Sequence, residues 1–412
     1  MKTVKEAQEA ILEHTLLLGE EEVPLHESLG RILFSDITSN RFHPPCDISA
    51  MDGYAVRFAD IDGATKEKPA VLKIVDDITA GSMPKCEVKS NEASRIMTGA
   101  PIPEGADTVI RVEDTDCNES EAKIFVPSPI ASNIRGKGEN LKEDELVLTK
   151  GTSIGPPELG TLAMVKRAMV PVYKRPSIAV LSTGDELEAL DEPLDPMKIP
   201  DANSHTVIAT LRSIGFEATN IGIARDTKDG LINKLKEAMD YDIVIVSGGV
   251  SVGHHDFVRP TLKELGVTMQ FWRVALRPGH PFAFGTGDNT LVFALPGNPV
   301  SSMVCTEQFI VPSLRKSSGA KKLFRPTVKA TLKGDIKDRI GRLHFMRATV
   351  SSTDKGYEAE LTGSQGSGIL LSMVKADALI IVPEDKDKIT EGSTVTVQLL
   401  YSNNFSKTSG LP

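Results

Sequence analysis

The run from Ile243 to Asp256, IVIVSGGVSVGHHD, is compatible with few folds. Its first part is wholly apolar and β-branched, which reads as a strand buried on both faces, and such a strand needs a covering layer on either side. The run then breaks without transition into serine and glycine. Glycines at that exit let backbone N–H groups approach an anion, so the chemistry is expected to gather there. A glycine loop alone reads equally well as a flexible turn. Its position between a buried strand and a helix around Val258 to Leu265 favours a ligand site.

The surrounding chain supports layers. From Pro176, SIAVL ends in STGDE, and a helix follows with Val207, Ile208, Leu211 and Ile214 on one face, Asn203 standing as its cap. ATNIGIA, a helix opened by Asp226 or Thr227, DIVIV, TMQFWRV, TLVFAL and a final helix from about Val300 to Leu314 complete an alternation that predicts a parallel sheet covered by helices on both faces. Ligands in such sheets bind beyond the carboxyl ends of the strands, which here carry STGDE, SGGVSVGHHD and LPGNPVSS.

The flanks have other textures. Thr3 and Glu6 form a capping box ahead of an amphipathic helix carrying Val4, Ala7, Ile11 and Leu18. AVLKIV, ASRIM, DTVIRV and KIFVP predict a β-rich insert, with Asp52-Gly53 read as a turn; PPELGTLAMV starts a second helix, which with the first is expected to frame the insert. After about Arg325, TVKATL, LHFMRATV, ALIIVP and STVTVQLL predict a small barrel or sandwich. The expected fold class is therefore a multidomain α/β and β chain: a linking domain (1–43 with 141–175), a β-rich insert (44–140), a three-layer α/β/α domain (176–320), a C-terminal β domain (321–405) and a short polar tail (406–412).

Composition excludes several classes. With 47 basic against 56 acidic residues the formal charge is −9, the wrong sign for wrapping nucleic acid or binding an acidic membrane. No apolar run approaches the roughly 18–20 residues needed to span a bilayer, and the charged opening MKTVKEAQEAILEH is unlike a signal peptide, so a cytoplasmic protein is expected. Cys46, Cys86, Cys117 and Cys305 are scattered without a paired spacing and read as free thiols.

Each polar motif has a bland reading beside the functional one. His254 and His255 resemble metal ligands, yet adjacent loop positions rarely supply a closed site, and solvated or anion-facing rings are the stronger reading. Asp52, Asp185, Glu186, Asp226 and Asp256 are ordinary caps or solvated carboxylates one by one; two or three converging at one sheet edge would suit a hard cation such as Mg²⁺. In WRVALRPGHPFAFG, Arg273, Arg277 and His280 bracket a Pro-Gly turn beside an apolar run, either as a surface strand or as donor forks for a small oxyanion. LPGNPVSS is either a tight turn or a helix start whose amides and Ser301 hold an anion.

Six motifs in order, SAMDGYA, TGAPIPEGADTVI, STGDEL, SGGVSVG, PGHPFAFG and LPGNPVS, resemble the molybdopterin molybdenumtransferase family, which includes the MoeA proteins and the gephyrin E domain. The resemblance spans nearly the whole chain. It implies a molybdopterin-binding fold and an enzyme that inserts molybdate into adenylylated molybdopterin with release of AMP, using Mg²⁺. It also implies a homodimer whose cleft lies between the α/β domain of one chain and the C-terminal β domain of the other, and transient contact with the adenylyltransferase that makes the substrate. Carried over by motif, Asp52, Thr98, Glu186, Asp226 and Asp256 are catalytic positions, with Glu186 and Asp256 holding the metal. Ser247, Gly248, Gly249, Ser251, Gly253, Pro296, Gly297, Asn298 and Pro299 would hold the pterin. Arg273, Arg277, His280, Ser301, Arg347 and Ser367 would hold molybdate. His280 and His254 depart from the commonest pattern, which leaves a tungstate-using variant or a non-catalytic scaffold paralogue as alternatives.

Overall fold

The computed structural model describes residues 1–116, 118, 120–249 and 257–400. Its centre is a six-stranded sheet in the order Thr219–Ala224, Ile178–Thr183, Ile243–Ser247, Leu291–Leu295, Ala283–Thr286, Thr268–Phe271. The Ile243–Ser247 strand is buried along its whole length, with Ile178–Thr183 and Leu291–Leu295 parallel to it on either side. Apolar side chains fill both faces: Ile243 and Ile245 join Phe282, Phe293 and Phe309 on one, while Val244 and Val246 join Leu231, Leu235 and Leu262 on the other.

The sheet is mixed, where the alternation predicted a parallel one. Ala283–Thr286 runs antiparallel to both neighbours. The cause is local: Gly287 donates to the Thr290 carbonyl at 2.8 Å, closing a hairpin too short for a crossover. The cap of Ala202–Ser213 also differs, because Asp201 accepts from the Asn203 and Ser204 amides and leaves the Asn203 side chain for other work. Thr227 caps Lys228–Ala238 by accepting from Gly230.

The last helix of this layer runs Pro299–Cys305, widens to a π-turn over Thr306–Ile310 and continues as Val311–Ser317. Pro312 explains the widening, since it offers no amide to the Gln308 carbonyl one turn earlier and its ring crowds that oxygen. The freed carbonyl accepts from Gln8 Nε2 at 3.1 Å, which ties in the N-terminal helix Val4–His14. That helix has the expected capping box but ends at His14, so Leu18 lies beyond its stripe. It does not frame the insert. Its stripe of Val4, Ala7 and Ile11 packs in the same core as Ile310 and Leu314.

The insert is a five-stranded sheet in the order Thr108–Arg111, Gly53–Val56, Glu92–Ile96, Ala70–Ile78, Glu121–Ile124. Gly53 begins a fully buried inner strand where the sequence suggested a turn, and a Cβ there would lie 1.8 Å from the Ile110 carbonyl oxygen. Between insert and centre, Glu20–Pro24 pairs with Met169–Tyr173, and Pro156–Met164 buries Leu162 against Leu33 and Val172.

The C-terminal unit is a closed barrel: Leu343–Thr353, Gly356–Leu361, Thr327–Lys333, Thr394–Leu399 and Ala378–Val382 pair in turn, and the last pairs back with the first. Closure removes the sheet edges that a sandwich would leave. The two-residue strand Leu276–Arg277 pairs parallel with Leu343 and His344, so the central unit and the barrel share a ladder.

Candidate active site

The exit of Ile243–Ser247 is fixed by its neighbours. Gly248 (φ 97°) and Gly249 (φ 63°) adopt left-handed conformations, and a Cβ on Gly248 would fall 2.4 Å from the Thr183 carbonyl oxygen. The Gly248 amide donates to the Leu295 carbonyl at 3.1 Å. Asn203 Nδ2 donates to Ser247 Oγ at 2.9 Å and to the Gly297 carbonyl at 2.7 Å, which binds the serine-glycine exit to the PGNP loop. Asn203 was legible only as a cap. Its bridging role depends on Asp201 taking that position, a competition local sequence does not decide.

The PGNP loop meets the barrel within the same chain. Asn298 Nδ2 donates to Ser367 Oγ at 3.0 Å, and the Val300 amide donates to the Ser367 carbonyl at 3.1 Å. The shared ladder of residues 276–277 seats this chain's barrel against its own central unit, so Ser367 meets the PGNP loop of its own chain, whereas the resemblance implied that Arg347 and Ser367 reach the cleft from a partner subunit. Arg347 is fully buried beside that junction. Its Nε donates to Ser372 Oγ at 3.1 Å and its Nη2 to the Gly366 carbonyl at 3.2 Å, whereas the buried Nη1 has no hydrogen-bond partner among the described residues. Gln365 braces the backbone, accepting from the Arg347 amide at 2.8 Å and donating to its carbonyl at 3.1 Å. Burial pushes the Arg347 pKa down to about 10, so it remains a cation at neutral pH.

The RPGH turn packs against the Pro299–Cys305 helix. A Cβ on Gly279 would sit 2.6 Å from Cys305 Sγ. Ser301 is one turn before Cys305 and shares its face, so Ser301 is directed towards this turn. Arg277 Nη1 pairs with Asp338, whose other oxygen accepts from His344 Nδ1 at 2.8 Å. Burial pushes the His344 pKa below the usual imidazole value despite the Asp338 contact, which favours the neutral ring, and among the described residues its Nε2 has no partner. His280 Nδ1 donates to the Val274 carbonyl at 3.0 Å. Arg273 is exposed, its carbonyl accepting from the Lys2 amide.

The carboxylates occupy the adjoining strand ends. Asp185 Oδ1 accepts the Asp226 amide at 3.1 Å, and the exposed Glu186 carboxylate folds back over Gly184, where a Cβ would meet Glu186 Oε2 at 2.5 Å. Ser182 and Thr183 end the Ile178–Thr183 strand with buried hydroxyls that have no partner among the described residues. These are hard oxygen donors of the kind Mg²⁺ takes. Among the described residues no three His, Cys, Asp or Glu side chains cluster closely enough to hold a metal by themselves. Ser251, Gly253, His254, His255 and Asp256 lie outside the described residues.

Asp52 and Thr98 stand apart, in the insert. Asp52 Oδ1 accepts the Thr98 amide at 2.7 Å and the Thr98 hydroxyl at 2.9 Å, and its carbonyl accepts the Val112 amide. The amide and then the hydroxyl hold the Asp52 carboxyl below its ordinary pKa. Both residues are exposed, and these partners all belong to the insert.

A three-layer α/β/α unit with a glycine exit is thus joined to a barrel whose buried Arg347 has no carboxylate partner among the described residues. Family sequence profiles match in the same order: the MoeA N-terminal region (domain I and II) over residues 2–165, a probable molybdopterin binding domain over 179–316, and the MoeA C-terminal region (domain IV) over 329–400. Molybdopterin molybdenumtransferase from Haemophilus influenzae is 36% identical over 404 residues, covering 97% of this chain and 98% of the relative. That from Staphylococcus aureus (strain Mu50) is 35% identical, covering 97% and 96%. The crystal structure of the molybdopterin biosynthesis MoeA protein from Pyrococcus horikoshii superposes with a TM-score of 0.82 at 31% identity, covering 97% and 99%. The chain belongs to the MoeA family of molybdopterin molybdenumtransferases.

Proposed function

We propose that the protein is a molybdopterin molybdenumtransferase that inserts molybdate into adenylylated molybdopterin and releases AMP. The observation that carries this reading is the junction of the PGNP loop, Ser367 and Arg347. A buried guanidinium that has, among the described residues, an unpartnered Nη1 and no carboxylate contact is matched to an incoming oxyanion. Leaving such an ion uncompensated costs several kcal/mol, which the anion would offset.

Ser367 and Ser301 offer hydroxyls to the same anion, and the Arg277 fork adds donors from the adjoining turn. The Ser247–Gly249 exit, held by Asn203 and Leu295, would receive the pterin beside it. Bringing oxyanion and dithiolene together is the main catalytic device, since positioning alone removes much of the cost of a bimolecular step. Mg²⁺, held by Glu186 and Asp256 with the neighbouring strand-end oxygens, would lower the charge that opposes attack at the adenylate phosphate. The curated relatives are transferases along their whole length, so a scaffold paralogue is the weaker reading.

Asp52 and Thr98 support a homodimer. Held and exposed in the insert, they would serve the cleft of a second copy. A cytoplasmic location fits the net charge of −9, and among the described residues no helix is long and apolar enough to cross a membrane.

Purified protein given adenylylated molybdopterin, molybdate and Mg²⁺ is expected to release AMP and form the molybdenum cofactor. Pterin binding with neither product would sink the enzymatic reading.

A further inference from the structure

Arg277 and Arg347 have opposite electrostatic settings. Asp338 is 5% exposed, and each of its carboxylate oxygens is engaged, one by Arg277 Nη1 and the other by His344 Nδ1. A neutral imidazole, a carboxylate and a guanidinium sum to zero charge. Arg277 is 30% exposed, so part of the fork reaches solvent while its charge is balanced from behind. Among the described residues the Arg347 side chain is bound by a serine hydroxyl and a carbonyl, neither of which offsets its unit charge.

We infer that Asp338 is a positioning residue that fixes the Arg277 fork and cancels its charge, so that the anion site senses ligand charge through Arg347. This rests on the proposed oxyanion role of the site. Arg277 then supplies directed hydrogen bonds from a set orientation, while Arg347 supplies the field that separates a dianion from a monoanion. A carboxylate with both oxygens engaged has little freedom to turn, so the guanidinium it holds is fixed before the ligand arrives. The strand pairing of Arg277 with His344 places both partners of Asp338 side by side and explains how one buried acid reaches them.

Molybdate and perrhenate are tetrahedral oxyanions of similar size that differ by one unit of charge, so the ratio of their affinities reads charge separately from shape. Equilibrium dialysis of the full-length protein with each anion is expected to show a preference for molybdate. Arg347→Gln should remove most of that preference. Arg277→Gln combined with Asp338→Asn removes the ion pair without changing the net charge, and should weaken both anions about tenfold, the effect of losing a charge-assisted hydrogen bond, while leaving the ratio unchanged. Asp338→Asn releases the Arg277 charge and should raise the ratio. If the double variant collapses the ratio as far as Arg347→Gln does, the anion senses the Arg277 charge and the inference is wrong. Should variants at position 338 fail to fold, Arg347→Gln decides alone, because a wild-type ratio in that variant would mean that Arg347 does not supply the charge discrimination. Retention of neither anion by the wild type would instead overturn the oxyanion reading itself.

Discussion

Asp52 shows how a single side chain is tuned by two donors from one residue. Its carboxyl has a depressed pKa, so its contribution to stability is present above the ordinary carboxylate pKa and is lost as pH falls through the lower native value. The Thr98 amide is the larger cause and the hydroxyl the smaller. Thr98→Val keeps the amide and removes the hydroxyl, and should move the Asp52 pKa part of the way back up. A carboxyl-carbon NMR titration reads this directly, and an unmoved Asp52 would show that the hydroxyl bond has no weight in solution. At this scale the sequence revealed residue types but not their pairings. Asp52 and Thr98 stood out in separate motifs, whereas Asp338 and His344 carry no local signal. The acid that balances Arg277 comes from another domain, and only the shared ladder brings it there.

The elements that hold the site depend on close backbone approaches. Gly248→Ala would place its methyl group 2.4 Å from the Thr183 carbonyl oxygen at a φ of 97°. The backbone conformation alone costs about 1–3 kcal/mol for a residue with a side chain. The variant should lower the denaturation midpoint and lose pterin binding together, with circular dichroism unchanged; a wild-type midpoint would mean that the exit loop relaxes freely. The apolar runs identified the sheet strands well, because a strand buried on both faces has a distinct texture. The antiparallel Ala283–Thr286 strand shares that texture, and its direction is set by a tight hairpin instead. Gly53 misled for a related reason. Asp-Gly signals a turn, but here the glycine is needed because another strand's carbonyl passes beside it.

At the scale of the molecule, the proposed homodimer would set the barrel and central unit of one chain against the insert of a second copy, which carries Asp52 and Thr98. Asp52→Asn and Arg347→Gln, each inactive alone, should therefore recover part of the wild-type turnover when unfolded and refolded together, because a mixed dimer contains one cleft with neither change. No recovery despite mixed dimers would place both residues in a single chain's cleft. The six ordered motifs made the family legible, yet which unit faces which was not, since assembly depends on surfaces that no short motif encodes. The stretch from Arg273 to Arg277 has a further consequence. The Lys2 carbonyl accepts the Ala275 amide at 2.8 Å, and the Ala275 carbonyl accepts the Leu343 amide at 3.0 Å. Residues from opposite regions of the chain thus grip one extended segment like the two jaws of a clamp. Displacing Lys2, for instance by a bulky tag fused ahead of it, would loosen one jaw and disturb Arg277 without touching the cleft, so an affinity handle is better placed elsewhere.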